Sequence, residues 1–367
     1  MSHPPRRPTG LVRDLPAVVP FVAPEALERA QGEPFRVRIG ANESPFGQSR
    51  HAREAIANAV ARVSWYCDPE AYELRTELAR RLGTTSASIV VGAGIDDLLG
   101  LIVRTFLDRG EVAVTSLGAY PTFNYHVQGH GGRLERVPYR DDRNDLEALL
   151  AAARRTGARL LFLANPDNPT GTWHAGADVE ALLDELPDDC LLVLDEAYRD
   201  FAPDGASPAV PASDPRLVRV RTFSKAHGLA GARIGYGVAA QETVAAFDRI
   251  RLHFGVNRVA QEAALASLRD EEFVRWVVCE VAKGREDYQR LAAEVGLPAL
   301  PSATNFVAID CGSAERSVAV TTALQDRGVF IRRPQAPPLD RLIRVTVGDD
   351  GERDAFATEF REVVAGL

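Results

Sequence analysis

Lys225 stands between Ser224 and a glycine-rich stretch that runs on to Arg233 and Gly237, and it is one of only two lysines among 43 basic side chains. The chain uses arginine for nearly every other cation. Arginine serves as a solvated charge, but its guanidinium is essentially never deprotonated and cannot form an imine. A desolvated lysine amine can lose its proton and attack a carbonyl. Lys225 is therefore the first candidate for covalent chemistry.

Three further polar clusters accompany it. Gly92, Gly94 and Asp96 form a glycine turn entering a helix, where free backbone N–H groups suit a phosphate; an ordinary strand-to-helix turn has the same pattern. Residues 165–171, with Asn165, Asn168 and two prolines, form a rigid turn, and Asn168 at its centre also fits a plain left-handed turn position. Asp195 ends an apolar run and is followed by Glu196 and Tyr198. A carboxylate there needs a cation or a protonated ring nitrogen, or else serves as a helix cap. An aldehyde cofactor that carries a phosphate needs an imine-forming amine, a phosphate cradle and an anion facing its pyridine nitrogen. With Ser224, Lys225 and Arg233, these clusters supply all three.

The elements that must position these groups read as an α/β fold. Apolar runs at 88–91, 111–115, 159–164, 190–194, 217–222 and 233–238 predict strands, and the near-continuous ones predict burial on both faces of a mainly parallel sheet. Helical spacing covers 96–107 and 177–186. The polar clusters then fall at strand ends, where open parallel sheets place ligands. After about residue 256 come long helices at 259–268 and 271–295, strands near 305–309, 329–331 and 342–346, and helices at 317–327 and at the chain end. The expected organisation is an N-terminal segment over 1–36 packing beside a smaller domain, a large domain over 37–258 and the small α/β domain over 259–367. The first ten residues predict a flexible leader.

Bulk properties exclude several roles. A net charge of -8 and no basic stripe argue against nucleic-acid binding. No apolar run approaches the ~20 residues that cross a bilayer, and no secretory signal opens the chain, so a cytoplasmic protein is expected. Four dispersed cysteines predict buried free thiols rather than disulfides or zinc ligands.

Taken together, residues 41–47, 66–69, 92–97, 121–123, 165–171, 195–198, 221–237, 304–306 and 342–348 resemble the fold-type-I pyridoxal-phosphate (PLP) aminotransferases, and within them the histidinol-phosphate aminotransferase group. The resemblance implies a seven-stranded, mainly parallel sheet between helices, pyridoxal 5′-phosphate as cofactor and a homodimer with shared sites. It implies that Lys225 forms the imine in ping-pong transamination and carries the proton between substrate and cofactor. Asp195 would keep the ring nitrogen protonated, and Tyr198 and Asn168 would bond the ring hydroxyl. Phe123 would stack on the ring. Arg233, Ser224 and the backbone of Gly94, Ile95 and Asp96 would hold the phosphate, with Tyr66 reaching it from the other subunit. Arg344 would grip the substrate carboxylate, with Asn42 and Arg332 nearby. The implied substrates are a small-molecule amino donor, histidinol phosphate first and an aromatic amino acid next, and a 2-oxo acid such as 2-oxoglutarate. A PLP-dependent decarboxylase of a phosphorylated amino acid shares these motifs and is the alternative. A DNA-binding regulator would need an added domain, for which no room precedes Leu11.

Departures from the group's pattern fall at Ala93 and Ile95, commonly Asn and Ser, at His227, commonly Phe, and over 335–339. His227 is expected to pack rather than catalyse. Lys283 reads as a solvated charge, His126 and His130 lack a third metal ligand, Trp65, Trp173 and Trp276 read as packing residues, and Asp96-Asp97 as an acidic helix start.

Overall fold

The computed structural model describes residues 7–15 and 22–367. Most of the leader expected over the first ten residues lies outside the described part; from Gly10 to Asp14 the chain is helical. Among the described residues there are eleven strands: β1 (Val37–Arg38), β2 (Ile89–Gly92), β3 (Val112–Ser116), β4 (Arg133–Val137), β5 (Leu160–Ala164), β6 (Leu191–Asp195), β7 (Leu217–Thr222), β8 (Gly235–Val238), β9 (Phe306–Asp310), β10 (Val329–Phe330) and β11 (Leu342–Thr346).

Seven of them form one sheet in the order β2-β8-β7-β6-β5-β3-β4, with only β8 antiparallel to its neighbours. All five residues of β5 and of β6 are buried, as their unbroken apolar runs require. Alternate residues serve opposite faces. Leu160, Phe162 and Val193 join a core with the helix Ile95–Phe106, whereas Leu161, Leu163, Leu192 and Leu194 join one with the helices Leu146–Thr156 and Gly176–Glu185. Each fully buried Leu or Phe contributes roughly 1.5–3 kcal/mol, so both helical layers are firmly held to the sheet. The pairing of Ala164 with Asp195 sets the ends of β5 and β6 level. The two polar turns that follow them therefore emerge side by side.

The C-terminal part packs β9 and β11, antiparallel to each other, against the helices Glu271–Glu294, Ala314–Asp326 and Asp350–Ala365. Val37 and Ile39 enter this core, and β1 pairs in parallel with β10. The helix Arg258–Arg269 instead packs on Leu74, Ile89, Phe223 and Val238 beside the large sheet. A seven-stranded, mainly parallel sheet with a smaller α/β part is the expected fold class.

The four cysteines are free, but only Cys190 and Cys311 are buried; Cys67 is half-buried and Cys279 exposed. The expectation of four buried thiols fails at these two, which lie on a loop and on the outer side of a helix. Trp65 and Trp276 are likewise exposed rather than packed in a core.

Candidate active site

Lys225 follows β7 by three residues, in a turn built on close backbone approach. A Cβ on Gly228, whose φ is +67°, would lie 1.8 Å from the Gly47 carbonyl oxygen, so only glycine lets the lysine turn dock on the segment 41–47. That segment returns the contact: the Lys225 Nζ donates to the Asn42 carbonyl at 2.8 Å. Asn42 itself has a left-handed φ of +55°. Its Nδ2 donates to the Tyr198 hydroxyl at 2.8 Å, and its Oδ1 accepts from the Thr346 hydroxyl at 3.1 Å. Burial, reinforced by the positive field of Arg344, pushes the Lys225 amine down to about 8. The amine is thus near the point of losing its proton at neutral pH.

The cavity around Lys225 has a volume of about 700 Å³. Asp195 lines it, buried, with the Ala197 N–H donating to its Oδ1 at 2.9 Å. Burial pushes this carboxyl up to about 7; a cation at its other oxygen would reverse that direction. Tyr198 is pushed up to about 12 by burial and keeps its proton. Its hydroxyl also accepts from Asn168 Nδ2 at 3.4 Å. Asn168 is aimed by its neighbour Asp167, a buried carboxylate that accepts from Thr170, Tyr139 and Asn144.

Arg344, on β11, donates from Nη1 to Asn168 Oδ1 at 2.6 Å and from Nη2 to the Gly40 carbonyl at 3.0 Å. Burial pushes it down to about 10, and its Nε is buried without a partner. Such a guanidinium is primed for an incoming anion. Arg332 is joined to Arg344 by a backbone bridge, and its Nη2 donates to the Val22 carbonyl at 2.8 Å.

A second pole lies at the helix Ile95–Phe106. Ile95 and Asp96 line the cavity with Ser224 and Arg233. A Cβ on Gly94, φ +93°, would meet Arg233 Nη2 at 2.5 Å, so the bare glycine lets the guanidinium lie against the helix start. Arg233 holds a left-handed φ of +59°, a strained conformation that such sites retain. The Thr222 hydroxyl donates to Ser224 Oγ at 2.9 Å, and both side chains line the cavity.

Two expected residues stand elsewhere. Phe123 does not reach the cavity: it is fully buried and stacks on Phe162 at 4.8 Å. The expectation that it faces the ring is corrected, because it lies inside the helix Pro121–His130 with its side chain against the sheet. Tyr120, immediately before that helix, lines the cavity instead, its hydroxyl donating to Asp96 Oδ1 at 3.1 Å. Tyr66 is 80% exposed, lies against Phe254 and does not line the cavity of its own chain. His227 packs on Phe223 with Nδ1 at 2.8 Å from Ser267 Oγ. Thr222 and Tyr120 carried no signal beyond their adjacency to motif residues.

A half-buried lysine amine that shares its cavity with a strand-end carboxylate, an arginine-lined helix start and a second arginine defines an imine-forming enzyme on a seven-stranded α/β frame. The chain belongs to the aminotransferase class I and II family, whose model matches residues 36–360. It is 38% identical over 369 residues to a histidinol-phosphate aminotransferase of Roseiflexus castenholzii, covering 97% of this chain and 98% of that one. To histidinol-phosphate aminotransferase 2 of Carboxydothermus hydrogenoformans it is 34% identical over 359 residues, with 96% and 98% covered. The crystal structure of histidinol-phosphate aminotransferase from Sinorhizobium meliloti in complex with pyridoxal-5′-phosphate superposes with a TM-score of 0.95 at 50% identity, covering 98% of each chain. Aspartate aminotransferase from Thermus thermophilus with maleate, at 23% identity and a TM-score of 0.83 over 98% of this chain and 100% of that one, shares the fold.

Proposed function

We propose that this protein is a pyridoxal 5′-phosphate-dependent aminotransferase that moves the amino group of histidinol phosphate, its preferred donor, to 2-oxoglutarate. The observation that carries it is the Lys225 amine, half-buried in a cavity of about 700 Å³ and pushed down to about 8, with the buried Asp195 carboxyl lining the same cavity.

The residues present fit the cofactor. The open backbone at Gly94 and the Arg233 guanidinium against it form a cradle that a Cβ would fill. Asp195 has room for a partner beyond the Ala197 N–H. When bound, the cofactor supplies an aldehyde that captures amines and a protonated ring that draws electrons from the substrate Cα. Lys225 would be the residue that holds the cofactor's aldehyde end, and its amine, near the point of losing its proton, would move the proton at the substrate Cα. Asp195 would keep the ring nitrogen charged, and Tyr198 with Asn168 would orient the ring hydroxyl. Arg233, Ser224 and the helix start at Gly94, Ile95 and Asp96 anchor the phosphate. Tyr120 is placed to cover the ring. Arg344, with Arg332 beside it, exchanges its bond to Asn168 for the substrate's anion, and Asn42 ties that movement to the lysine.

Against the expected bounds of 37–258 and 259–367, the packing supports a larger, cofactor-binding unit that includes the helix Arg258–Arg269 and a smaller one that takes in Val37 and Ile39. The protein acts as a homodimer. Support comes from Trp65, Tyr66 and Phe254, 69%, 80% and 54% exposed, grouped away from the cavity, where Tyr66 of one copy can serve the other. A single species near the 39.8 kDa chain mass in light scattering contradicts it. No described helix is long and apolar enough to cross a membrane, and the free thiols fit a cytoplasmic setting.

The test is a half-reaction. Purified holoenzyme mixed with histidinol phosphate and no oxo acid should lose its visible absorption, and 2-oxoglutarate should restore it. Carbon dioxide release from a phosphorylated amino acid such as threonine phosphate, without need of an oxo acid, would instead identify a decarboxylase.

A further inference from the structure

The cavity carries more cations than the cofactor and a substrate α-carboxylate use. Lys225, Arg136, Arg233, Arg332, Arg333 and Arg344 line it, against Glu43, Asp96 and Asp195. Arg233 lies 3.5 Å from Asp96, and Arg332 and Arg344 hold the contacts described above. Glu43 exerts its field on Lys225 and Arg332. Arg136 and Arg333 are left over. Arg333 donates only to the Pro334 and Asp340 carbonyls, at the long distances of 3.3 and 3.4 Å. Neither guanidinium has a carboxylate in ion-pairing distance among the described residues.

The two come from opposite halves of the chain to one rim. Arg136 pairs with Thr115 near the end of β4, and the next residue, Val137, accepts from the Leu117 N–H at 2.7 Å, so Arg136 emerges beside Leu117 and Gly118. A Cβ on Gly118 would lie 3.2 Å from the Ala336 Cβ. The segment that follows Arg333 therefore closes on the large sheet where Arg136 leaves it.

We propose that Arg136 and Arg333 determine specificity by holding the distal carboxylate of the acidic oxo-acid substrate, while Arg344 holds the carboxylate next to the reacting carbon. The assignment rests on the aminotransferase function above. It accounts for the unusual 335–339 segment as the wall that brings Arg333 to the rim. Two guanidiniums without a carboxylate partner give up no existing ion pair when they take a carboxylate, which favours a dianion over a monoanion.

The test compares holoenzyme and the Arg136→Gln/Arg333→Gln double variant with 2-oxoglutarate and with 2-oxopentanoate, which has the same chain length but no distal carboxylate. The cofactor absorption band, unchanged in the variant, controls for folding. The expected result is a KM for 2-oxoglutarate raised about 10-fold at unchanged kcat, as partly exposed charge pairs allow, with 2-oxopentanoate unaffected. A parallel loss for both acceptors, or an unchanged KM for 2-oxoglutarate, overturns the proposal. If the wild type transfers to no oxo acid, the aminotransferase function fails. Calorimetric titration of the holoenzyme with glutarate and pentanoate then decides the rim separately: a glutarate preference lost in the double variant supports it, and equal binding refutes it.

Discussion

At the scale of single residues, the site holds two ionisable groups at the edge of their charge states. Asp195, pushed up to about 7 from its ordinary 3.8 by burial, keeps in the cofactor-free fold a proton that the unfolded chain releases. Its contribution to stability is therefore full below pH 4 and is lost as pH rises through 7. Above that, the folded chain buries an uncompensated charge that a cofactor's ring cation would offset. Cofactor-free Asp195→Asn protein should thus melt at or above the wild-type temperature at pH 8, with the difference closing at pH 4. Activity of the reconstituted variant should fall by about 100-fold or more. A wild-type melting temperature higher than the variant's at pH 8 would remove Asp195 from this role. The same proximity to neutrality governs Lys225, whose isolation among arginines already marked it in the sequence.

Elements explain both what was legible and what was not. The runs 159–164 and 190–194 became β5 and β6 because a strand covered on both faces has no polar positions to break its pattern. The residues that follow them, Asn168 and Asp195, were legible for the same reason: polar groups just past such runs stand out. Phe123 was misplaced because the segment 121–123 marks a helix start without saying which face looks inward. Tyr120 caps the helix and points at the cavity, while Phe123, inside its first turn, turns to the sheet and stacks on Phe162. Phe123→Ala should therefore cost about 3–5 kcal/mol in denaturant unfolding and leave the holoenzyme spectrum unchanged. Tyr120→Ala should shift the cofactor band and slow turnover with less loss of stability. The opposite assignment of effects would restore Phe123 to the ring. The left-handed backbone at Asn42 and Arg233 left no mark in the sequence, since neither residue is a glycine.

At the scale of the whole molecule, three distant stretches meet at one amine. The sheet carries Lys225 beyond β7, the segment through Asn42 supplies the carbonyl that receives its hydrogen bond, and β11 brings Arg344 and Thr346 to the same network. Asn42 belongs to a stretch whose earlier residues, Val37 and Ile39, pack in the C-terminal core. That stretch thereby links the C-terminal core to the lysine. The departure at His227 is absorbed by packing against Phe223 and Ser267, so it leaves the lysine turn intact. Lys283, the other lysine, lies exposed on the helix Glu271–Glu294, paired with Glu280 at 2.7 Å. With two lysines in the chain, one measurement separates them. Holoenzyme reduced with borohydride and digested should show by mass spectrometry a phosphopyridoxyl group on the peptide that contains Lys225 and none on Lys283. A group on Lys283, or an unmodified Lys225 in protein that retains its cofactor, would contradict the central claim that Lys225 is the imine-forming residue.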